Sequence, residues 1–225
     1  MPALRTDGPP TEADLAPTAA FDHDQPAVAA WAQGVTASAS TPAERARALF
    51  ADVRDRIRYD PYRLDLAPEA FTAGSVLASG RNWCVPKAIL LTAGARAAGI
   101  PARLGFADVR NHLSSEKLRA QMGTDLFVFH GYAALYVDGR WLKASPAFNA
   151  ELCERFGVDA LEFDGRSDAL LHAFDGQGRR HMEYVRDHGT WDAVPFDEMF
   201  AAFRANYGSD HPLEPGSSHD PAFHA

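Results

Sequence analysis

Cysteine is scarce in this sequence, since Cys84 and Cys153 are its only two. Neither has a closely spaced cysteine or histidine partner, which argues against a disulfide framework and a zinc knuckle. The sequence also lacks a run of about 18 apolar residues, which a membrane span requires. Its N-terminal region has neither the basic segment nor the apolar segment of a secretory signal. These absences predict a cytoplasmic protein with no membrane partner, no metal and no other cofactor.

Basic residues are also few: the sequence has 22 Lys and Arg residues and 30 Asp and Glu residues, which gives a formal net charge of -8. A chain this acidic is not expected to bind nucleic acid. Its 225 residues, 46% of them hydrophobic, suit a single core. We predict a proline-rich N-terminal arm over residues 1–26, one domain over 27–207 and a flexible C-terminal tail over 208–225.

Two helices have clear start and stop signals. Thr41-Pro42-Ala43-Glu44 is typical of a capping box with proline at the first helical position, and the helix should end near Tyr59-Asp60-Pro61. A second helix begins at Cys84 and ends at Gly99-Ile100-Pro101. Its apolar face has many small residues, so another element should pack closely against it. Weaker patterns predict helices over residues 27–35, 75–78, 114–122 and 195–207.

The strongest strand signal runs from Leu126 to Val137, and Asp138-Gly139 is a typical two-residue hairpin turn. The chain should return as a strand over residues 140–145. Another strand is predicted over residues 103–109, and weaker ones over 161–163, 169–174 and 180–185.

The segment Arg81-Asn82-Trp83-Cys84-Val85-Pro86-Lys87 places a thiol where a loop enters an apolar helix. The unpaired N–H groups and positive dipole end of a helix favour a thiolate and bind an oxyanion. Cys84 is therefore the candidate nucleophile. Cys153 has no comparable surroundings and is interpreted as structural.

A cysteine nucleophile needs a base, and His130 is the histidine inside the strong strand. If Asp138 and Gly139 form the turn, counting back along both strands places Tyr132 opposite Ser145. Because side chains alternate, His130 then shares a face with both residues, and its Cβ lies roughly 7 Å diagonally from that of Ser145. Ser145 thus occupies the position of a group that orients the imidazole.

These residues resemble the transglutaminase-like core domain of the papain-like cysteine enzyme superfamily. The similarity covers about residues 42–149, with residues 150–207 as a C-terminal extension, and its most specific segment is Arg96-Ala97-Ala98-Gly99-Ile100-Pro101-Ala102-Arg103. The resemblance implies an α+β fold in which N-terminal helices and the nucleophile helix pack on an antiparallel β-sheet. It also implies a Cys-His-Asp triad, with Cys84 and His130 as its first two members.

The family's aspartate would fall at Ser145, and Asn149 is the alternative third member because an asparagine can take that role. Gly131-Tyr132 also stands where Ala-Trp is usual in the family. Trp83 and Tyr132 are candidates for lining the substrate pocket or binding the oxyanion.

The predicted function is cysteine-dependent acyl transfer on a peptide or amide substrate. Hydrolysis is favoured over cross-linking, because the chain shows only a minimal core. The alternative is a binding module on the same fold that has lost catalysis, which Ser145 and Gly131 suggest.

Overall fold

A computed structural model describes residues 4–5, 8–62, 64–112, 114–171, 175 and 177–208 of the chain. Seven α-helices lie within these ranges: α1 (Pro26–Thr36), α2 (Pro42–Arg56), α3 (Ala73–Ser79), α4 (Cys84–Ala97), α5 (Glu116–Met122), α6 (Ala150–Phe156) and α7 (Phe196–Tyr207). The strands are β1 (Leu4–Arg5), β2 (Arg58–Tyr59), β3 (Arg81–Asn82), β4 (Ala102–Asn111), β5 (Leu126–Val137), β6 (Arg140–Ala144) and β7 (Met182–Trp191). Helices packed on an antiparallel sheet confirm the predicted α+β class.

The predicted capping box starts α2. The Glu44 N–H donates to Thr41 Oγ1 at 3.2 Å, and the Thr41 N–H donates to Glu44 Oε2 at 3.0 Å. Each residue thereby satisfies a backbone donor that the helix start leaves open. The local sequence alone is sufficient to specify this helix start.

The main sheet has the order β1-β7-β4-β5-β6, with antiparallel pairing between neighbours. In the hairpin of β5 and β6, Val137 pairs with Arg140 and Ala133 pairs with Ala144. This is the register predicted from a turn at Asp138 and Gly139. The register matters for the site because it carries the chain to Ser145 next to His130.

Helix α4 is buried along nearly its whole length and packs against β5. The predicted close neighbour of its small residues is α1, since a Cβ added at Gly94 would lie 2.7 Å from the Trp31 ring. The other close approach is to β5, where a Cβ added at Gly131 would lie 2.8 Å from Val85 Cα. Glycine at both positions lets the nucleophile helix sit between α1 and the sheet.

Several predictions on the C-terminal part need correction. Residues 161–163 form no strand: the Leu161 carbonyl accepts a hydrogen bond from Arg54, and Phe163 is buried against Phe50. Of the strand predicted over 169–174, Ala169 makes an isolated bridge to Ala144, and 172–174 lie outside the described residues. The strand predicted over 180–185 is instead β7 and extends to residue 191. Helix α6 was not predicted.

The N-terminal arm is held against the sheet in its described part. Leu4 and Arg5 pair with β7, and the buried Asp14 accepts from Arg103 Nε at 2.8 Å. The predicted tail lies outside the described residues beyond residue 208. Within the described ranges, every helix is too short or too polar to cross a bilayer.

Candidate active site

Cys84 is the first residue of α4, and Trp83 is the N-cap residue. The Trp83 side chain makes no capping bond, so the helix start does not use a side-chain acceptor of its own. The Asn82 Oδ1 atom accepts the Trp83 N–H at 3.1 Å. The N–H groups of the first turn are therefore the donors that a helix start offers to an anion.

The Cys84 side chain is buried, which opposes the thiolate expected at a helix start. Its burial raises the pKa of Cys84 to about 11. The N–H groups of Gly131, Val85 and Cys84 itself lower this pKa, but their effect is smaller than that of burial. The residue is only 7% exposed, and a desolvated thiolate is costly.

His130 and Ser145 meet as the register predicted. His130 Nε2 lies 3.2 Å from Ser145 Oγ, and both side chains are buried. Burial lowers the pKa of His130 to about 4, so the imidazole is neutral at pH 7. A neutral imidazole is the form that can accept a proton from a thiol.

Cys84 and His130 line one small cavity of about 60 Å³. Trp83 also lines it, and its indole N–H has no hydrogen-bond partner among the residues that the structure describes. The Trp83 ring is buried between Phe71 and Phe203 of α7. The predicted nucleophile, base and pocket residue are therefore brought together.

Two other candidates make hydrogen bonds to other partners. The Asn149 Oδ1 atom accepts the Tyr59 N–H at 3.1 Å, so the amide oxygen is engaged with the backbone after α2. Tyr132 packs over Gly105 and donates its hydroxyl to Asp187 at 3.1 Å. Tyr132 is not among the described residues that line the cavity of Cys84 and His130.

Sequence reasoning missed a pair of residues that supports His130. Asp108 Oδ1 accepts the Phe129 N–H at 3.1 Å and lies 2.7 Å from His188 Nε2. Phe129 has a φ of 52° at a bulge in β5, and its ring stacks on His188 with centroids 4.2 Å apart. The pair stabilises a strained backbone immediately before the base. The contact depends on the pairing of β4 with β7, which are far apart in sequence and whose register shifts near Asp108. Local sequence patterns do not predict it.

Lys87 links the nucleophile helix α4 to the end of α2 by hydrogen bonds. It lies one turn after Cys84, is fully buried, and its Nζ donates to the carbonyl oxygens of Arg54, at 2.9 Å, and Ile57. Carbonyls at a helix C-terminus lack donors within the helix. Burial lowers the pKa of Lys87 to about 7.

Replacing Lys87 by methionine should lower the free energy of unfolding by about 1–3 kcal/mol, because two buried carbonyls lose their donor. Urea denaturation of the purified chain measures this. Arg47→Met, on the exposed side of α2, is the matched control and should change stability by less than about 0.5 kcal/mol. Equal stability of Lys87→Met and the natural chain would show that these bonds do not stabilise the fold.

Two further histidines, His181 and His188, contact other side chains. His188 pairs with Asp108, and His181 stacks on Phe148 with ring centroids 6.2 Å apart. Within the ranges that the structure describes, no group of three or more His, Cys, Asp or Glu residues is arranged to hold a metal ion.

Two solved structures are similar to part of this chain. A candidate cysteine protease from Cytophaga hutchinsonii is 17% identical, with a TM-score of 0.44 over 58% of this chain and 39% of its own. A candidate protease from Parabacteroides distasonis ATCC 8503 is 18% identical, with a TM-score of 0.38 over 56% of this chain and 25% of its own. The matched part is thus less than half of either protein. No curated protein matches the chain.

The sequence matches the model of the transglutaminase-like superfamily over residues 29–146. The matched segment covers more than half of the 225 residues and includes Cys84, His130 and Ser145. The chain therefore belongs to the transglutaminase-like superfamily, a group of cysteine-dependent enzymes.

Proposed function

We propose that this protein hydrolyses an amide or peptide bond by acyl transfer to Cys84, with His130 as general acid and base. The observation that carries the proposal is the shared cavity: the helix-start thiol and the strand imidazole line the same 60 Å³ space. Ser145 holds the imidazole from behind at 3.2 Å. A space of this size accommodates a small acyl group and the water that replaces the departing amine.

The mechanism begins from a neutral thiol and a neutral imidazole. With Nε2 protonated and donating to Ser145 Oγ, Nδ1 is the basic nitrogen and takes the Cys84 proton as Sγ attacks the carbonyl. The N–H groups at the start of α4 stabilise the oxyanion. The imidazolium then protonates the leaving nitrogen, the C–N bond breaks, and water hydrolyses the thioester with His130 again as the base.

Ser145→Asp should leave kcat/KM unchanged or raise it, up to about tenfold, because a carboxylate stabilises imidazolium better than a hydroxyl does. It should also shift the acid limb of the pH profile to higher pH, since a nearby negative charge raises the pKa of His130. Ser145→Ala, the matched variant without an acceptor, should lower kcat/KM. A folded Ser145→Asp protein with much lower activity would count against the orienting role.

A binding module without catalysis is the second candidate. The specific observation behind it is that the partner of His130 is a neutral hydroxyl and that burial keeps both reacting groups uncharged. An imidazole with no carboxylate behind it is a weaker base in the transition state. The fold and the cavity would be the same under both functions.

Competition between the two cysteines for iodoacetamide separates these functions. Cys84 and Cys153 are both buried, and burial raises the pKa of each thiol to about 11. Cys153 lies within α6 and not at its start, and it does not line the small cavity of Cys84, so it is an internal control of similar burial. An enzyme should show Cys84 labelled at least about tenfold faster at pH 7, with the excess lost in His130→Gln. Equal labelling of the two thiols, rising only at alkaline pH, would favour the binding module.

We also propose that the protein acts in the cytoplasm, where a reducing environment keeps both thiols free.

A further inference from the structure

A second and larger cavity adjoins the site on the side of His130. Its volume is about 190 Å³, and it shares Tyr59, Leu118, Phe127 and His130 with the small cavity. Cys84 belongs to the small cavity. His130 therefore lines both chambers, and Cys84 lines the small one.

The walls of the larger chamber are mainly apolar. They include Leu152 and Phe156 of α6, Val158, Leu171 and Met182. All five residues lie beyond the segment that matches the superfamily, which ends at residue 146. Residues of the C-terminal extension thus form one part of the chamber wall, and residues of the matched segment, such as Leu118 and Phe127, form the rest.

The chamber has a buried floor and an exposed mouth. His130 at the floor is 5% exposed, and Phe156 is 39% exposed. Arg179 also lines the chamber, and its Nε lies 2.7 Å from Asp175 Oδ2, so its charge is matched. An uncharged apolar group can enter without leaving a buried charge unpaired.

The chemistry determines which part of a substrate each chamber receives. The acyl carbon becomes bonded to Cys84 Sγ, so the acyl group must lie in the chamber that contains Cys84. The leaving nitrogen must reach the proton on His130. The group attached to that nitrogen therefore points into the chamber that His130 lines and Cys84 does not reach.

We propose that the larger chamber is the leaving-group site and that the substrate is an amide with a small acyl group and a bulky apolar amine. An N-alkyl amide or a peptide with a large apolar residue on the amine side of the scissile bond belongs to this class. The proposal rests on the acyl-transfer function of Cys84. In the step, the Sγ–C bond forms, the C–N bond breaks, and the thiol proton passes through His130 to the nitrogen, which departs as the amine.

Acetylation of the full chain by S-methyl and S-hexyl thioacetate tests this assignment. The two esters have the same acyl group and nearly equal intrinsic reactivity, which parallel reactions with free cysteine calibrate. If the chamber receives the leaving group, S-hexyl thioacetate should acetylate Cys84 at least about tenfold faster, because the longer chain buries more apolar surface. Intact-mass and peptide mapping give the rate and the site.

Val158→Trp fills the chamber and should reduce the preference for the hexyl ester to nearly one. Val158 is partly exposed and follows the end of α6, so a larger side chain is compatible with folding. Val185→Trp is the matched control, since Val185 is 49% exposed on β7. It should keep the preference of the natural chain.

Two results would overturn the assignment while the proposed function stands. One is equal acetylation by both esters. The other is faster acylation by S-methyl hexanethioate than by S-methyl thioacetate, with this preference lost in Val158→Trp. That result would place the acyl group in the larger chamber. No modification of Cys84 by any ester would instead refute the proposed function and, with it, the leaving-group role. Binding of 1-hexanol to Cys84→Ala, followed by NMR, would then show whether the chamber binds apolar chains at all.

Discussion

Cys84→Ala is expected to lower kcat/KM for amide hydrolysis by about 10⁴-fold or more, because the proposed covalent intermediate forms on Cys84 Sγ. The fold should be retained, since Cys84 is a small side chain at the start of α4 and alanine suits that position. Hydrolysis of a peptide amide with an apolar residue on the amine side measures the effect. The acyl-enzyme should also disappear from the mass spectrum.

Cys153→Ala is the control for this variant. Cys153 is 3% exposed and lines the larger chamber, so its replacement removes a buried thiol of similar burial without touching the reacting atoms. It should reduce kcat/KM by far less than Cys84→Ala does. Similar losses in the two variants would indicate a general effect on packing and would remove the nucleophile assignment.

His130→Gln is expected to lower kcat/KM by about 10²–10⁴-fold, the usual contribution of a positioned general acid and base. Glutamine keeps a polar group near Ser145 Oγ but cannot take up the thiol proton. His23→Gln is a suitable control, because His23 Nδ1 lies 3.0 Å from the Phe21 carbonyl in the N-terminal arm. Full activity of a folded His130→Gln protein would exclude His130 as the base.

The pH dependence of the natural chain gives a second measure of His130. Burial lowers the pKa of His130 from 6.5 to about 4. The neutral base is thus present above about pH 4, and the acid limb of kcat/KM should lie there and not near pH 6.5. A limb near pH 6.5 would mean that the base is a more exposed histidine.

The same shift in the pKa of His130 makes stability depend on pH. Between pH 6.5 and 4 the unfolded chain binds a proton at His130 that the folded chain does not, so stability falls as the pH falls through this window. The loss reaches about 3 kcal/mol when the window has been crossed. In His130→Gln this part of the acid sensitivity should be missing, which urea denaturation at several pH values would detect.

Local sequence signals were sufficient for much of this fold. The box of Thr41 and Glu44 starts α2, because both bonds form within one helical turn. The Asp138-Gly139 turn sets the register of β5 and β6, because side chains alternate from a two-residue turn. The contact between His130 and Ser145 follows from that register by counting residues.

The C-terminal extension was predicted less well because its contacts are distant in sequence. Residues 161–163 alternate like a strand, but Leu161 accepts its hydrogen bond from Arg54, 107 residues earlier. Phe163 is buried against Phe50 of helix α2, so these residues pack on a helix and not on the sheet. Helix α6 is short and has no side-chain cap, so local signals for it are weak.

By itself, the sequence determined the place of Cys84 at a helix start, the strand of His130 and the pairing that brings in Ser145. Tertiary structure alone decided the charge of the site, because the pKa values of Cys84 and His130 depend on burial by elements distant in the chain. Tertiary structure also brings β5 so close to Val85 that a Cβ at Gly131 would clash with it. It likewise places Asp108 where its carboxylate accepts the Phe129 N–H at the bulge before His130. These features depend on distances between separate elements, which no local pattern of residues encodes.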